Sequence, residues 1–353
     1  MSREATPGPA IRALRSDERE TVLALLDEWP LSDRWRGRDF FRRYVEHDPT
    51  YRDDNFWVAE QGGALVACVQ IFPRRLRVGD AAAPVGGIGS VFTSEKARGG
   101  GVASALLEAA VGAMRARGMP LSLLFASRHA FYTRLGWMLW PRPRPLWLRS
   151  GATAAPEEAR RVDAFDRARD LDAVIALHES YSKPLAGSVV RDRAYWEGQL
   201  HFAGNPGEDF LVARDATGRV EAYARGCLLE GMYFVSELGR AELAADAAAE
   251  LVLRLMTARD PDPIAARVDR ASAEFRRVVV APPLADPAFA DALAARGIET
   301  RHFEERSAML RVVDAAALER ATRMPRHPDE PQAAWLARIL PPEQLVFWTA
   351  DRF

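Results

Sequence analysis

The chain has 353 residues, 48 Lys plus Arg against 49 Asp plus Glu, and two cysteines. At about 100–200 residues per domain this length predicts two domains, and a net charge of −1 offers no electrostatic reason to expect a nucleic-acid partner. Cys68 and Cys227 are too few for a disulfide framework; without an apolar signal core or an uncharged apolar run of about 18 residues, the sequence reads as cytoplasmic with no membrane partner.

In chain order, Ile11 to Arg15 reads as a first strand, with Ser16 as N-cap of a helix to Glu28. Trp29-Pro30-Leu31-Ser32-Asp33-Arg34-Trp35 interrupts the helical pattern before a second stretch, Asp39 to His47. Phe56 to Ala59 and Ala64 to Phe72, joined by Gly62-Gly63, form a hairpin. A strand from Val85 to Thr93 leads into Arg98-Gly99-Gly100-Gly101. The following helix carries Val102, Ala105, Leu106, Ala109 and Ala113 at helical spacing, with Gly118 where a C-cap belongs. Leu121 to Ala126 reads as a buried strand. The proline-punctuated run Trp140 to Leu148 predicts a sheet-edge segment, and Ser150 to Glu158 a linker.

The second half repeats this plan faintly. Asp170 to Ser180 is helical, Phe210 to Ala213 and Val220 to Gly226 make a hairpin around Thr217-Gly218, and Met232 to Leu238 is a strand followed by a helix, Ala241 to Arg259. Val278 to Val280 and Ser307 to Val313 supply late strands, and Ala333 to Leu340 a short helix. The chain stops on Leu345-Val346-Phe347-Trp348-Thr349-Ala350-Asp351-Arg352-Phe353, which is unusually apolar for a terminus.

The richest stretch is the strand, glycine loop and helix around residue 100. The first N–H groups of a helix lack intrahelical partners, and the helix dipole adds partial positive charge there. Glycines let a phosphate approach that backbone closely. A dinucleotide fingerprint would open the first βα unit of a repeated parallel fold and carry an acidic partner about 20 residues on; this loop follows nearly a hundred residues of other structure. A P-loop would need Gly-Lys followed by Ser or Thr, which is absent.

What remains, Arg98-x-x-Gly101-x-Ala103, resembles the acyl-CoA pyrophosphate loop of the GCN5-related N-acetyltransferase (GNAT) superfamily. Phe131-Tyr132-Thr133-Arg134-Leu135-Gly136-Trp137 resembles the same family's F-Y-x-x-L-G-F/W segment after the fifth strand. The whole chain is similar to the tandem-domain, enhanced-intracellular-survival (Eis)-like acetyltransferases. That resemblance implies an α/β (α+β) fold of two tandem GNAT-type mixed sheets with flanking helices. Residues 1–150 would form the catalytic domain and residues 160–313 a second, degenerate copy, with 314–353 as a short extension. In the second copy Leu238-Gly239-Arg240-Ala241-Glu242 lacks the glycine cluster, and Glu242 and Asp246 set carboxylates where phosphates would lie. The family's third, sterol-carrier-like domain has no room in the last forty residues, which leaves homo-oligomerisation open.

Carried over by position, the resemblance places Val91, Phe92 and Thr93 along the pantetheine arm of acetyl-CoA. Arg98, Gly99, Gly100, Gly101, Val102, Ala103 and Ser104 would surround its pyrophosphate, and Ser127 and Arg128 its far side. Tyr132 would be the general acid and the terminal carboxylate of Phe353 the base, with no metal. Independently of the family, Glu28, Trp29, Asp33 and Trp35 offer acidic and aromatic groups suited to a cationic amine. The implied activity is acetyl transfer from acetyl-CoA to a primary amine of a small molecule or protein. Two alternatives stand beside it: a tandem enzyme acetylating a thiol-precursor sugar amine, and a non-catalytic acyl-CoA sensor or scaffold.

Overall fold

The computed structural model describes residues 8–31, 35–149, 161–203, 208–229, 232–257, 277–282 and 284–353. The first half supplies β1 (Ala10–Ala13), α1 (Arg19–Leu26), α2 (Gly37–His47), β2 (Phe56–Gln61), β3 (Ala64–Val78), β4 (Ala81–Thr93), α3 (Val102–Ala116), β5 (Leu121–Phe125), α4 (His129–Thr133), β6 (Met138–Leu139) and β7 (Arg142–Arg149). The second half supplies β8 (Arg161–Ala164), α5 (Arg167–Ser182), α6 (Arg193–Phe202), β9 (Asp209–Arg214), β10 (Val220–Leu229), β11 (Met232–Arg240), α7 (Ala245–Thr257), β12 (Arg277–Val280), β13 (Ile298–Glu305) and β14 (Ala308–Val312). Among the described residues these strands form two seven-stranded mixed sheets, β1-β2-β3-β4-β5-β14-β6 and β13-β7-β12-β11-β10-β9-β8.

Ser16 does not take the N-cap role. It opens a single 3₁₀ turn, and Glu18 reaches back to accept from the Arg15 N–H at 2.9 Å, with the α-helix starting at Arg19. A carboxylate reaching back three residues satisfies an orphan donor that the short Ser16 hydroxyl leaves alone.

The apolar stripe of α3, through Val102, Leu106, Leu107, Ala110, Val111 and Met114, covers one face of the first sheet against Val69, Ile71, Ile88, Leu124 and Trp137. The opposite face is covered from far along the chain. Helices Ala315–Thr322 and Gln332–Ile339 bring Leu318, Trp335, Leu336 and Ile339 onto Phe72, Leu76, Val85, Leu121 and Leu123.

The two sheets exchange strands. β14 inserts between β5 and β6 of the first sheet, running antiparallel to β5 from Ala308↔Phe125 to Val312↔Leu121. β7, expected at a sheet edge, instead lies inside the second sheet between β13 and β12. Its prolines are tolerated because of where they fall. Pro145 turns its carbonyl to the Ala281 N–H at 2.9 Å, while β12 pairs only with Leu146 to Arg149. The missing N–H groups of Pro143 and Pro145 lie on the same side as that carbonyl but beyond the four β7 residues that β12 pairs, so neither the β12 nor the β13 ladder loses a bond. Leu146 and Leu148 pack on Phe234 and Val280, and Trp147 on Phe289, so both faces of β7 are buried.

The exchange predicts that a 1–150 fragment will not fold. It lacks β14, which leaves the β5 edge unpaired and its buried face without the 315–339 helices, and its β7 has no sheet to join. Circular dichroism of the fragment should show no cooperative melt, whereas the full chain should unfold in one calorimetric transition.

Candidate active site

The site is built around β4. Its pairing with β3 shifts by one residue between Cys68↔Phe92 and Gln70↔Gly89, and Ser90 at this bulge takes a positive φ of 50°. The conformation is uncommon for a residue with a Cβ, and two contacts hold it: Ser90 Oγ to Gln70 Oε1 at 3.1 Å and Cys68 Sγ to the Ser90 carbonyl at 3.4 Å. On the other side β4 pairs in parallel with β5 only from Val85↔Leu121 to Ile88↔Leu124. Beyond Ile88 the two strands part, and the backbone from Gly89 to Thr93 runs on without β5 beside it.

After Thr93 the chain makes a short turn, pinned by Arg98 Nε donating to the Thr93 carbonyl at 3.2 Å. Gly101 is the N-cap of α3 with φ of 77°, and no side chain caps the helix. A Cβ built at Gly99 or Gly101 would meet nothing within 4 Å, so this loop borders open space. The first amides of a 15-residue helix are thus exposed in an all-glycine setting, an arrangement suited to binding phosphate. Val102 turns its side chain into the core, while Ala103 and Ser104 are half-buried. Val91 packs on the α3 side, and Phe92 packs the other way, stacked on Trp29 with ring centroids 6.0 Å apart.

At the end of β5, Ser127 and Arg128 are exposed and lead into α4, which carries Tyr132. Tyr132 is wedged edge-on between Phe131 and Trp137, at 5.0 and 6.2 Å between centroids. Its carbonyl accepts from the Leu135 and Trp137 N–H groups, which fixes the turn. Burial pushes its phenol pKa above the ordinary 10, only partly opposed by Arg128. The group is therefore a protonated donor throughout the physiological range.

The opposite side of β4 is occupied by the end of the chain. Phe353 stacks on Phe72 with centroids 5.2 Å apart at 15°, and lies against Phe125 and Phe347. A Cβ at Gly87 would lie 2.2 Å from its ring, and one at Gly89 would lie 3.2 Å from its carboxyl carbon. Only glycine permits this approach. Tyr44 donates from its hydroxyl to the Arg352 carbonyl at 3.2 Å, and the Arg352 guanidinium lies 4.6 Å over the Phe125 ring. Nothing local in the sequence joins Tyr44, Phe72, Phe125 and Phe347 to this site; its one readable signal is the spacing of Gly87 and Gly89, two bare positions on one face of a strand.

Of the residues expected at the amine pocket, the two tryptophans have partners inside the protein. Trp29 is spent on Phe41 and Phe92, and Arg43 covers Trp35 at 4.2 Å. Glu28 is exposed, and Asp33 lies outside the described residues. Trp29 is part of the apolar cluster between α1, α2 and the sheet, whereas Trp35 packs on α2 through Phe40 and Arg43. Among the described residues there is no group of three or more His, Cys, Asp or Glu that could hold a metal, and no helix is long and apolar enough to cross a membrane.

Comparison with known proteins agrees with this architecture. Residues 10–140 match the acetyltransferase (GNAT) domain model. The likeness to the GNAT acetyltransferases is thus carried by the first part of the chain. In fold, its two-sheet arrangement resembles that of Eis1 of Mycobacterium abscessus, on which it superposes with a TM-score of 0.56 at 18% identity, over 89% of this chain and 75% of that one. It superposes likewise on a GCN5-related N-acetyltransferase of Kribbella flavida, with a TM-score of 0.62 at 20% identity over 90% and 74% of the chains. In sequence, an uncharacterized N-acetyltransferase of Streptomyces avermitilis is 26% identical over 175 residues, which are 46% of this chain and 42% of that protein. The match thus spans under half the length of that curated relative.

If the glycine loop holds the pyrophosphate of acetyl-CoA, Gly101→Glu should abolish that binding, since it places a carboxylate at the uncapped N-terminus of α3 and forces a left-handed φ on a residue with a Cβ. Titration calorimetry against wild type reads this directly, with a retained melting transition as the control for folding.

Proposed function

We propose that the protein is an acetyl-CoA-dependent N-acetyltransferase acting on a primary amine, with one acetyl-CoA held per chain by the first sheet. The observation that carries the reading is the convergence on β4. Its bulged end, free of β5 on one side, leads to an uncapped helix N-terminus, a half-buried phenol stands beyond the end of the neighbouring strand, and Phe353 lies along its bare face. The backbone of Val91 to Thr93 would pair with the pantetheine arm. The amides from Gly99 to Ser104 would bind the pyrophosphate, with Arg98, Ser127 and Arg128 at its margins.

In the reaction the amine nitrogen attacks the acetyl carbonyl carbon, forming a C–N bond and a tetrahedral intermediate. The nitrogen loses a proton to the carboxyl group of Phe353. The C–S bond then breaks, and the departing thiolate takes the proton of Tyr132. The base role needs a free carboxyl group on Phe353. A carboxylate is a weak base, so its contribution comes from proximity rather than strength.

The second sheet supports one site rather than two. At the helix following β11, Asp246 pairs with Arg296 at 2.8 Å, and Arg240 is held by Asp286 at 2.7 Å. A carboxylate in the first turn of α7 stands where a second pyrophosphate would bind.

Tyr132→Phe should lower kcat by about 10²-fold while leaving acetyl-CoA affinity unchanged. Because burial raises the Tyr132 pKa, the wild-type rate should show no alkaline decline from this group below about pH 10. Thiol release measured across pH with an amine panel checks both points, and no turnover with any amine would favour a sensor. Adding residues after Phe353, or Gly87→Ala, should cut turnover with acetyl-CoA binding intact, because each displaces the Phe353 carboxyl group from β4.

A further inference from the structure

The segment that delivers Phe353 to the first sheet is fastened by the second. Gly187 lacks a side chain where a Cβ would meet Leu345 at 2.1 Å, and the Val346 N–H donates to the Ala186 carbonyl at 2.8 Å. Trp348 donates through Nε1 to Ser182 Oγ at 3.3 Å. Asp351 then enters a junction with no solvent exposure. Its Oδ1 accepts from Arg191 Nε at 3.0 Å, Gln199 Nε2 at 2.9 Å and the Tyr195 hydroxyl at 3.1 Å, and its Oδ2 from an Arg191 terminal nitrogen at 2.8 Å. The same guanidinium donates to Glu237 Oε2 at 2.5 Å, and Glu237 also accepts from the Tyr223 hydroxyl at 2.8 Å. The side chains of Asp351, Arg191 and Glu237 are all 0% exposed.

Glu237 sits at a bulge. The pairing of β10 with β11 shifts between Arg225↔Glu237 and Gly226↔Val235, as that of β3 with β4 shifts at Ser90. The irregular point of each sheet's central strand is therefore occupied by the tail: at β4 by Phe353, at β11 by Asp351 through Arg191. Two residues of chain span at most about 7 Å, so fixing Asp351 restricts the Phe353 carboxyl group to a small volume.

We propose that Asp351 is a positioning residue for acetyl transfer, held by Arg191 on Glu237 and setting where the Phe353 carboxyl group lies on β4; this rests on the assignment of that carboxyl group as the base. The second sheet thus serves the reaction as the anchor of the first sheet's base. A bidentate Arg–carboxylate pair suits this purpose because it fixes direction as well as distance.

The test uses the 353-residue chain and three variants. Asp351→Asn keeps the shape and leaves Arg191 paired with Glu237, so no charge is orphaned. Its kcat should fall about 10- to 100-fold, the scale of a misplacement near 1 Å, with acetyl-CoA affinity by calorimetry unchanged. Release of phenylalanine by carboxypeptidase should rise about ten-fold or more as the tail frees itself. A variant with unchanged kcat and unchanged release would overturn the proposal. Should Asp351→Asn not fold, Tyr195→Phe decides in the same two readouts: it removes one hydrogen bond and keeps the ion pair, with a smaller change in the same direction expected, and no change overturning the proposal. Deleting Phe353 separates the two readings. If the deletion keeps full turnover, the base assignment fails and the positioning role fails with it. If the deletion loses turnover while Asp351→Asn keeps it, only the positioning role fails.

Discussion

The closeness with which other parts of the molecule approach β4 sets the geometry of everything around it. Three positions without side chains make this possible. At Gly86 a Cβ would stand 2.6 Å from Met114 of α3; at Gly87 it would stand 2.2 Å from the Phe353 ring; at Gly89 it would stand 2.8 Å from Phe72. The strand is thus pressed by a helix from one side and by the end of the chain from the other. A single methyl group at Gly87 would displace an aromatic ring that also stacks on Phe72. Protein interiors are packed as densely as organic crystals and cannot absorb such a shift locally. The bulge at Ser90 lies just beyond the last residue paired with β5, and from there the strand runs on to the glycine loop.

Around this strand the division of labour is asymmetric. The first sheet keeps an exposed, all-glycine helix entry, while the second fills the corresponding entry with internal ion pairs. Yet the second sheet is not idle, because the tail crosses it on the way back to the first. Arginine is well suited to such crossings. Arg74 is buried on Asp48, Arg191 on Asp351 and Glu237, and Arg142 on Glu305. A planar guanidinium satisfies two carboxylate oxygens at once and holds its charge when buried. The arginines buried at these sites thus have a structural use.

The glycine loop, α3, β5 and the Phe131–Trp137 segment were legible because they are local: a few adjacent residues set each turn and cap. The placement of β7 and β14 was not, because nothing in Trp140 to Leu148 states which sheet will accept its hydrogen bonds. Its prolines argued for an edge, and only the short reach of β12 makes an interior position acceptable. Two further helices carry caps that are legible in the sequence. Asp192 accepts from the Tyr195 N–H at the start of α6, and Asp286, followed by Pro287, accepts from the Phe289 N–H at the helix 287–295. Of the site, Tyr132 and Phe353 were marked by resemblance, whereas the aromatic residues that receive Phe353 come from β3, β5 and the tail, and only the tertiary fold brings them together.

The exchange of strands also has a meaning in time. As the chain is synthesised, β5 emerges with its neighbour still unmade, and β7 emerges before any other strand of its own sheet. The partner that closes β5 ends at Val312, and the residues that cover the sheet's second face come later still. At about 5–20 residues per second, the ribosome needs roughly 10 to 40 s to bridge that gap. For that interval the first sheet exposes an unpaired edge and an apolar face. Native pairing of such distant segments is slow in itself, and exposed edges invite pairing with other chains. Yield of this protein during expression should therefore depend on growth temperature and on chaperones more than its final, interlocked structure would suggest.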